Sequence, residues 1–361
     1  MNPFEYTALP GRVVFGHGTL PRVADEMALL GTTRAFILCD SVHATTAGER
    51  LHELLGTRAV GQSTGAAMHT PVEVTEKVLI QVRAAAPDCL VALGGGSTTG
   101  LSKALALRTG LPQIVVPTTY AGSEATPIIG QTEQGRKTTQ RSLQVLPRTI
   151  IYDVDLTLGM PVLLSIVSGM NAMAHAVEAL YARDRNPVTS MLAEQGIAAL
   201  ARALPLIAAD SWDAAARADA LFGAWACGNC LGTVGMALHH KLCHTLGGSF
   251  DLPHAETHTV ILPHAAAFNE SAAPDAMAIV ARALGASNAA TGLFDLAATL
   301  GAPTSLKAIG LPESQLDAAA EAAAASPYWN PRPVDRDALR ALLDDAFHGR
   351  RPTALNVTPH G

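Results

Sequence analysis

The first part of the chain alternates short β-branched apolar runs with amphipathic stretches, and the last part holds long alanine- and leucine-rich stretches without such runs. Five segments read as strands: Arg12-Val-Val-Phe15, Ala35-Phe-Ile-Leu-Cys39, Cys89-Leu-Val-Ala-Leu93, Gln113-Ile-Val-Val116 and Thr149-Ile-Ile-Tyr152. Their apolar positions do not alternate with polar ones, which is the pattern of strands covered on both faces. Helical periodicity predicts helices near 19–30, 45–56, 71–86 and 98–109. Strand–helix alternation of this kind predicts a parallel, Rossmann-like sheet. The stretch Ile128 to Thr138 breaks the pattern and, with a turn at Gln134-Gly135, reads as a hairpin excursion.

The character changes near Leu156-Thr-Leu-Gly-Met-Pro161, and Pro161 suits the first turn of a helix. The expected organisation is an α/β dinucleotide-binding domain over 1–157 and an all-helical substrate and catalytic domain over 158–361. With 361 residues, 48% of them apolar and 16% charged, the chain has enough material for two cores. The net charge of −6 lacks the electrostatic footprint of a nucleic-acid binder. An anionic ligand would need a local cationic pocket, because the global field opposes it.

The opening MNPFEYTALPGRVVFG has neither the basic nor the apolar region of a secretion signal. The longest apolar stretch, Met160 to Ala182, is interrupted by Ser165, Ser168, Asn171, His175 and Glu178, so no membrane association is expected. Five cysteines are too few and odd in number for a disulfide scaffold, and a cytoplasmic location is the expectation. Cys227-Gly-Asn-Cys230 lacks a second pair and reads as packing residues.

Two sets of residues carry chemistry. The first is Gly94-Gly-Gly-Ser97, which leads from a strand into a helix and lets backbone amides approach a diphosphate. A second polar loop, Pro117-Thr-Thr-Tyr-Ala-Gly-Ser-Glu124, follows the next strand, so the two loops define a ligand crevice. Asp40 ends another strand, where a carboxylate can accept hydrogen bonds from a ribose and repel a 2′-phosphate. NADH is therefore expected in preference to NADPH, with NADPH possible.

The second set is histidine-rich. His239, His240, His244 and His254 are four of the chain's 13 histidines and fall within sixteen residues. Asn171 and His175 are four apart on one helix, as are His240 and His244 on another. Two helices aiming polar groups at one point is how catalytic and metal sites are built in helical domains.

Over almost its whole length the chain resembles the iron-containing (group III) alcohol dehydrogenase family, whose architecture is dehydroquinate synthase-like. The matching pieces are Gly94-Gly-Gly-Ser97, Pro117-Thr-Thr119, Gly169-Met-Asn-Ala-Met-Ala-His175, His240-x3-His244, Leu252-Pro-His254, Ile261-Leu-Pro-His264 and Asn330-Pro-Arg332. The resemblance implies cofactor contacts from Asp40, Gly94, Gly95, Gly96, Ser97, Thr118, Thr119 and Lys137. It places the family's metal-ligating histidines on His175, His240 and His254, and its histidine near the nicotinamide on His244. The family's ligating aspartate falls on Asn171, and an aspartate common in metal-dependent members falls on Gly100.

A neutral amide is a poor transition-metal ligand, so no metal is expected and Asn171, His175, His240 and His254 read as a vestigial site. Gly100 is expected to open space near the reacting carbon. Both departures match a subgroup that reduces a C=C bond conjugated to a ketone in a small dicarboxylate, a step of aromatic-compound degradation. Imidazolium and ammonium donors can carry the enolate charge of that reaction without a metal. His244 or His254 is then the proton donor, and His175, His239, His240 and Lys241 are the candidate carboxylate or enolate contacts. Glu178 is expected either to orient His175 or to face solvent, His258 and His264 to be structural, and Tyr328 and Arg332 to be further cleft candidates. The resemblance also implies a homodimer. The competing readings are a metal-dependent alcohol or polyol dehydrogenase and a nucleotide-binding protein without catalysis.

Overall fold

The structure, a computed structural model, describes residues 4–43, 45–134, 136–325 and 328–353, with the side chains of Arg136 and Lys137 also outside the description. The chain divides into a sheet unit, Ala8–Met160 with Ser211–Leu221, and a helical unit, Met1–Thr7 with Pro161–Asp210 and Phe222–Gly361.

The sheet unit runs β1 (Arg12–Gly16), α1 (Val23–Leu29), β2 (Ala35–Cys39), α2 (Ala47–Leu55), β3 (Ala59–Ser63), α3 (Val72–Ala85), β4 (Cys89–Gly94), α4 (Gly96–Thr109), β5 (Gln113–Pro117), β6 (Ile128–Glu133), β7 (Arg136–Arg141) and β8 (Thr149–Asp153). Six strands form a parallel sheet in the order β1-β8-β5-β4-β2-β3. Side chains alternate between its faces. Ile37, Val91, Leu93, Ile114 and Val116 pack with Val23, Met27 and Leu51 on one face. Phe36, Leu38, Leu90, Ala92 and Val115 pack with Val78, Val82, Leu101 and Leu105 on the other. Each such side chain contributes about 1.5–3 kcal/mol relative to an exposed one. That two-sided burial is why the strands read as unbroken apolar runs.

All five expected strands form, and β3 is an addition. Its sequence, Ala-Val-Gly-Gln-Ser, has no apolar run because it pairs only with β2, at the sheet edge. Gly61 is required there by packing, since a Cβ would sit 2.7 Å from the Phe36 ring. The expected hairpin is the antiparallel pair β6–β7, with Gln134 in the left-handed region at φ 49°. Gly135 lies outside the described residues.

Strand order positions the crevice. The chain leaves β2 for β3 on one side and leaves β4 for β5 on the other, although β2 and β4 are neighbours. Connections that diverge from adjacent strands leave a gap at their carboxyl ends, where ligands of open α/β sheets bind. Asp40 follows β2 and Gly95 follows β4 at that point.

The helical unit contains α5 (Val162–Tyr181), α6 (Pro187–Ala209), α7 (Ala214–Thr233, from Phe222 onward), α8 (Leu238–Phe250), α9 (His254–Asn269), α10 (Pro274–Leu284), α11 (Ala289–Thr299), α12 (Leu316–Ala324) and α13 (Arg336–His348). No strand occurs in it among the described residues. Every residue of α5 from Ser165 to Tyr181 is buried. Length and composition alone would let α5 and α6 cross a membrane, but burial within the fold accounts for the apolar character of α5. Gly196 and Gly223 let α6 and α7 approach closely, and a Cβ at Gly196 would lie 2.7 Å from Cys227 Sγ. Cys227 and Cys230 are both buried and free, the packing role expected of them.

Candidate active site

In the sheet unit, the glycine loop is shaped by its neighbours. Gly94 has φ 152°, and a Cβ there would sit 2.5 Å from Thr98 Oγ1 and 2.6 Å from Asp40 Oδ2. A Cβ on Gly95 would lie 3.0 Å from Thr119 Cγ2. The glycines therefore bring three elements into contact distance: the end of β2, the first turn of α4 and the loop after β5. Thr118 N–H donates to Gly94 O at 3.1 Å, joining the two loops. Thr98 is 1% exposed, and its Oγ1 has no partner, a hydroxyl left available at the helix N-terminus. Such an N-terminus favours an anion.

Asp40 is half-buried, and burial works to raise its pKa. Hydrogen bonds from the His43 side chain and amide, the His43 charge, and the Gly95 amide outweigh that and hold it below the usual carboxylate range. His43 Nδ1 lies 2.8 Å and His43 N 2.9 Å from Asp40 Oδ1. Asp40 is thus an ionised acceptor in the gap between β2 and β4. Ser97 is part-buried, Gly96 is exposed, and the Lys137 side chain lies outside those described. The residues present fit a nucleotide diphosphate: a cradle that a Cβ would fill, a helix N-terminus and an unpartnered hydroxyl.

The structure corrects one expectation about this unit. Gly100 does not open a space, because a Cβ there would fall on Thr70 Oγ1. Thr70 holds that position from a left-handed backbone at φ 48°, next to His69 at φ 63°. A β-branched residue rarely adopts that conformation.

In the helical unit, α5, α8 and α9 bring six imidazoles together. Ring centroids are 5.0 Å apart for His175 and His240, 6.0 Å for His240 and His244, and 4.4 Å for His254 and His258. His175 Nδ1 lies 2.9 Å from His240 Nε2, and His240 Nδ1 lies 2.7 Å from Glu178 Oε2. Glu178 is fully buried and also accepts Ala237 N–H at 2.8 Å, His239 N–H at 2.7 Å and the Tyr181 hydroxyl at 3.3 Å. The carboxylate therefore caps the start of α8 and accepts from His240 Nδ1–H, which leaves His240 Nε2 facing His175 Nδ1. Glu178 orients His240 directly, rather than His175 as the sequence suggested.

His239 is fully buried, with Nε2 2.9 Å from His258 Nδ1 and 3.6 Å from Cys243 Sγ. Burial drives the pKa values of His239 and His258 well below the ordinary histidine value, with neighbouring imidazoles adding to the effect, so both are neutral. His258, expected as a structural residue outside the site, packs against His175, His239, His240 and His254. His264 is buried on α9, and burial pushes it down to about 4.

His175 and His240 are buried, His254 is half-buried at the first position of α9, and His244 is exposed on α8. Lys241 lies 5.8 Å from the Tyr328 ring centre. The Tyr328 hydroxyl has no partner, and burial, then the Glu178 charge, raises its pKa. Arg332 is committed elsewhere: it stacks on Phe268 at 4.1 Å and donates to the Phe268 carbonyl.

The residues implied by the family for a metal depart from its ligand set at Asn171. Asn171 Oδ1 is a neutral, buried oxygen without a partner. His240 Nδ1 is held by Glu178, as the outer nitrogen of a metal-binding histidine is, and its Nε2 lies 2.9 Å from His175 Nδ1. Among the described residues, the group whose ligand atoms converge within 4.8 Å is instead His239, Cys243 and His258. Its remote nitrogens, His239 Nδ1 and His258 Nε2, have no partner, so it lacks the outer hydrogen bonds that orient metal-binding histidines.

Comparison with known proteins bears on the whole chain. Family models match at residues 10–154, "Iron-containing alcohol dehydrogenase", and at residues 165–347, "Fe-containing alcohol dehydrogenase family, C-terminal". The chain belongs to the iron-containing alcohol dehydrogenase family. It is 58% identical to a maleylacetate reductase from Rhizobium sp. (strain MTP-10005), over 98% of this chain and 100% of that protein. It is 53% identical to one from Burkholderia cepacia, over 98% and 100%. The crystal structure of a maleylacetate reductase from Agrobacterium tumefaciens aligns with a TM-score of 0.94 and 56% identity, covering 98% of this chain and 100% of that one.

Proposed function

We propose that this member of the family is a cytoplasmic, NADH-preferring maleylacetate reductase that reduces the substrate C=C bond to give 3-oxoadipate in aromatic-compound degradation, without a metal. Full-length similarity to proteins of that name supports the substrate. The observation that carries the chemistry is the neutral Asn171 amide, buried one helical turn before His175, whose ring pairs with His240, which in turn bonds Glu178. A charged substrate with two carboxylates and a developing enolate is matched by imidazolium and ammonium donors.

Asp40, Gly94–Ser97, Thr118, Thr119 and Lys137 would hold the cofactor, which supplies a hydride at the alkene carbon remote from the ketone when bound. His175 and Lys241 hold the carboxylates and the enolate oxygen, with His240 positioning His175. Glu178 keeps His240 in one tautomer, so that His175 is oriented through its Nδ1–H. His254 delivers the proton to the carbon next to the ketone, with His244 the alternative donor.

The test is NADH oxidation by maleylacetate, using protein whose metal content has been measured before and after chelation. Full turnover without metal is expected. Chelator-dependent loss, with metal present in stoichiometric amount, would favour a metal-dependent alcohol or polyol dehydrogenase. NADH binding without turnover would favour a catalytically silent nucleotide-binding protein.

A further inference from the structure

Lys103 lies in the third turn of α4 and is 1% exposed. Its ammonium has four oxygens in reach: Ser123 O at 2.5 Å, Thr126 O at 2.7 Å, Ile128 O at 2.8 Å and Thr126 Oγ1 at 2.9 Å. All belong to the segment that joins β5 to β6 or to the first residue of β6. Three backbone carbonyls aimed at one buried point repel one another unless a cation sits among them, and an ammonium has three N–H groups to give. Burial pushes the Lys103 amine down to about 7, and the neighbouring Glu124 carboxylate acts in the opposite direction. The four-oxygen cage favours the charged form, because a neutral amine would turn a lone pair toward an oxygen.

The segment is also tied at its other end. Tyr120 is fully buried, and its hydroxyl accepts from Arg217 Nη1 at 3.2 Å. Arg217 is itself buried and donates to Ser211 O and Met160 O. Glu124 accepts from the Tyr152 hydroxyl at 2.8 Å. Between these anchors and β5 lie Thr118 and Thr119, packed on Gly94 and Gly95. The two cofactor loops therefore have different supports: the glycine loop is set by close packing on Asp40, Thr98 and Thr119, and the loop after β5 by buried cations.

We propose that Lys103 is a positioning residue for the cofactor, holding the loop after β5 against α4 so that Thr118 and Thr119 stay beside the glycine loop. This rests on the assignment of the glycine loop and Thr118–Thr119 to the cofactor. Lys103 does not touch the cofactor; it acts through the carbonyls of residues 123, 126 and 128. The cage, rather than any single contact, is what the loop needs.

The experiment is a fluorescence titration of NADH against wild-type protein, Lys103→Met and Thr126→Val, combined with amide hydrogen exchange and steady-state kinetics. Lys103→Met keeps the length of the chain and removes the charge. Its NADH Kd should rise about tenfold or more, with faster exchange confined to residues 118–128 and kcat at saturating NADH within about threefold of wild type. Thr126→Val removes one oxygen and should raise Kd by about two- to threefold. If Lys103→Met does not fold, the Thr126→Val result decides. A folded Lys103→Met with unchanged NADH affinity, or unchanged affinity in Thr126→Val when the first variant is lost, overturns the proposal. Absence of NADH binding by the wild-type protein overturns the cofactor assignment instead.

Discussion

Glu178 Oε2 accepts the Nδ1–H of His240 at 2.7 Å, and the same carboxylate receives two backbone amides from the start of α8. One buried group thus sets both the position of the helix and the tautomer of a histidine it presents. Glu178→Gln keeps the size but replaces one acceptor oxygen with a donor, which then faces an N–H. The expected result is a fall in kcat on the order of a hundredfold, with a smaller change in NADH affinity. A variant with wild-type kcat would remove Glu178 from the relay.

Asn171 is the position at which the metal reading and the metal-free reading separate. Its Oδ1 is buried, one helical turn before His175 on α5, and has no partner. Asn171→Asp supplies an anion at that point, so divalent-metal affinity should rise by at least about tenfold. The carboxylate should also lower turnover with maleylacetate, since it offsets the positive charge that receives a dianion. Zinc titration by calorimetry, run beside the NADH assay, reads both effects. Unchanged zinc affinity in the variant would mean that the vestigial site has lost more than its charge.

Strand–helix alternation and unbroken apolar runs made the sheet legible, because two-sided burial writes itself into sequence. β3 was not legible: Ala-Val-Gly-Gln-Ser pairs on one side only, and its glycine answers to the Phe36 ring from another strand. The histidines were visible through their four-residue spacings on α5 and α8. Their partnerships were not, since Glu178 and His240 are 62 residues apart and their hydrogen bond depends on how two helices meet. The same holds for Lys103 and Glu124, which read as ordinary charged positions until the loop folds over them. His239 and His240 are adjacent in sequence and both buried, yet His239 meets His258 and Cys243 whereas His240 meets Glu178 and His175.

Asp40 sits in the gap between β2 and β4 as an ionised acceptor tied to His43. Asp40→Ala removes the charge that opposes a 2′-phosphate and releases the His43 ring from its partner. The ratio of kcat/KM for NADH to that for NADPH should fall by about tenfold or more. Measuring both cofactors at fixed maleylacetate gives the ratio directly. An unchanged ratio would take Asp40 out of the ribose-binding set.

His264 provides a pH test that does not depend on catalysis. It is 4% exposed, Nε2 has no partner, and burial lowers its pKa from 6.5 to about 4, with Asp345 acting weakly the other way. The unfolded chain takes up a proton as pH falls through 6.5, whereas the folded chain resists until about 4, so folding stability is full above 6.5 and is lost as pH falls. Between pH 7.5 and pH 5 this one group should cost about 2 kcal/mol. His239 and His258, held neutral by burial, act with the same sign. Urea unfolding at the two pH values should therefore show a clear acid-side loss. His264→Leu should reduce that loss by about the amount assigned to His264, whatever its effect on absolute stability. A variant with the wild-type pH dependence would show that His264 is protonated in the folded protein.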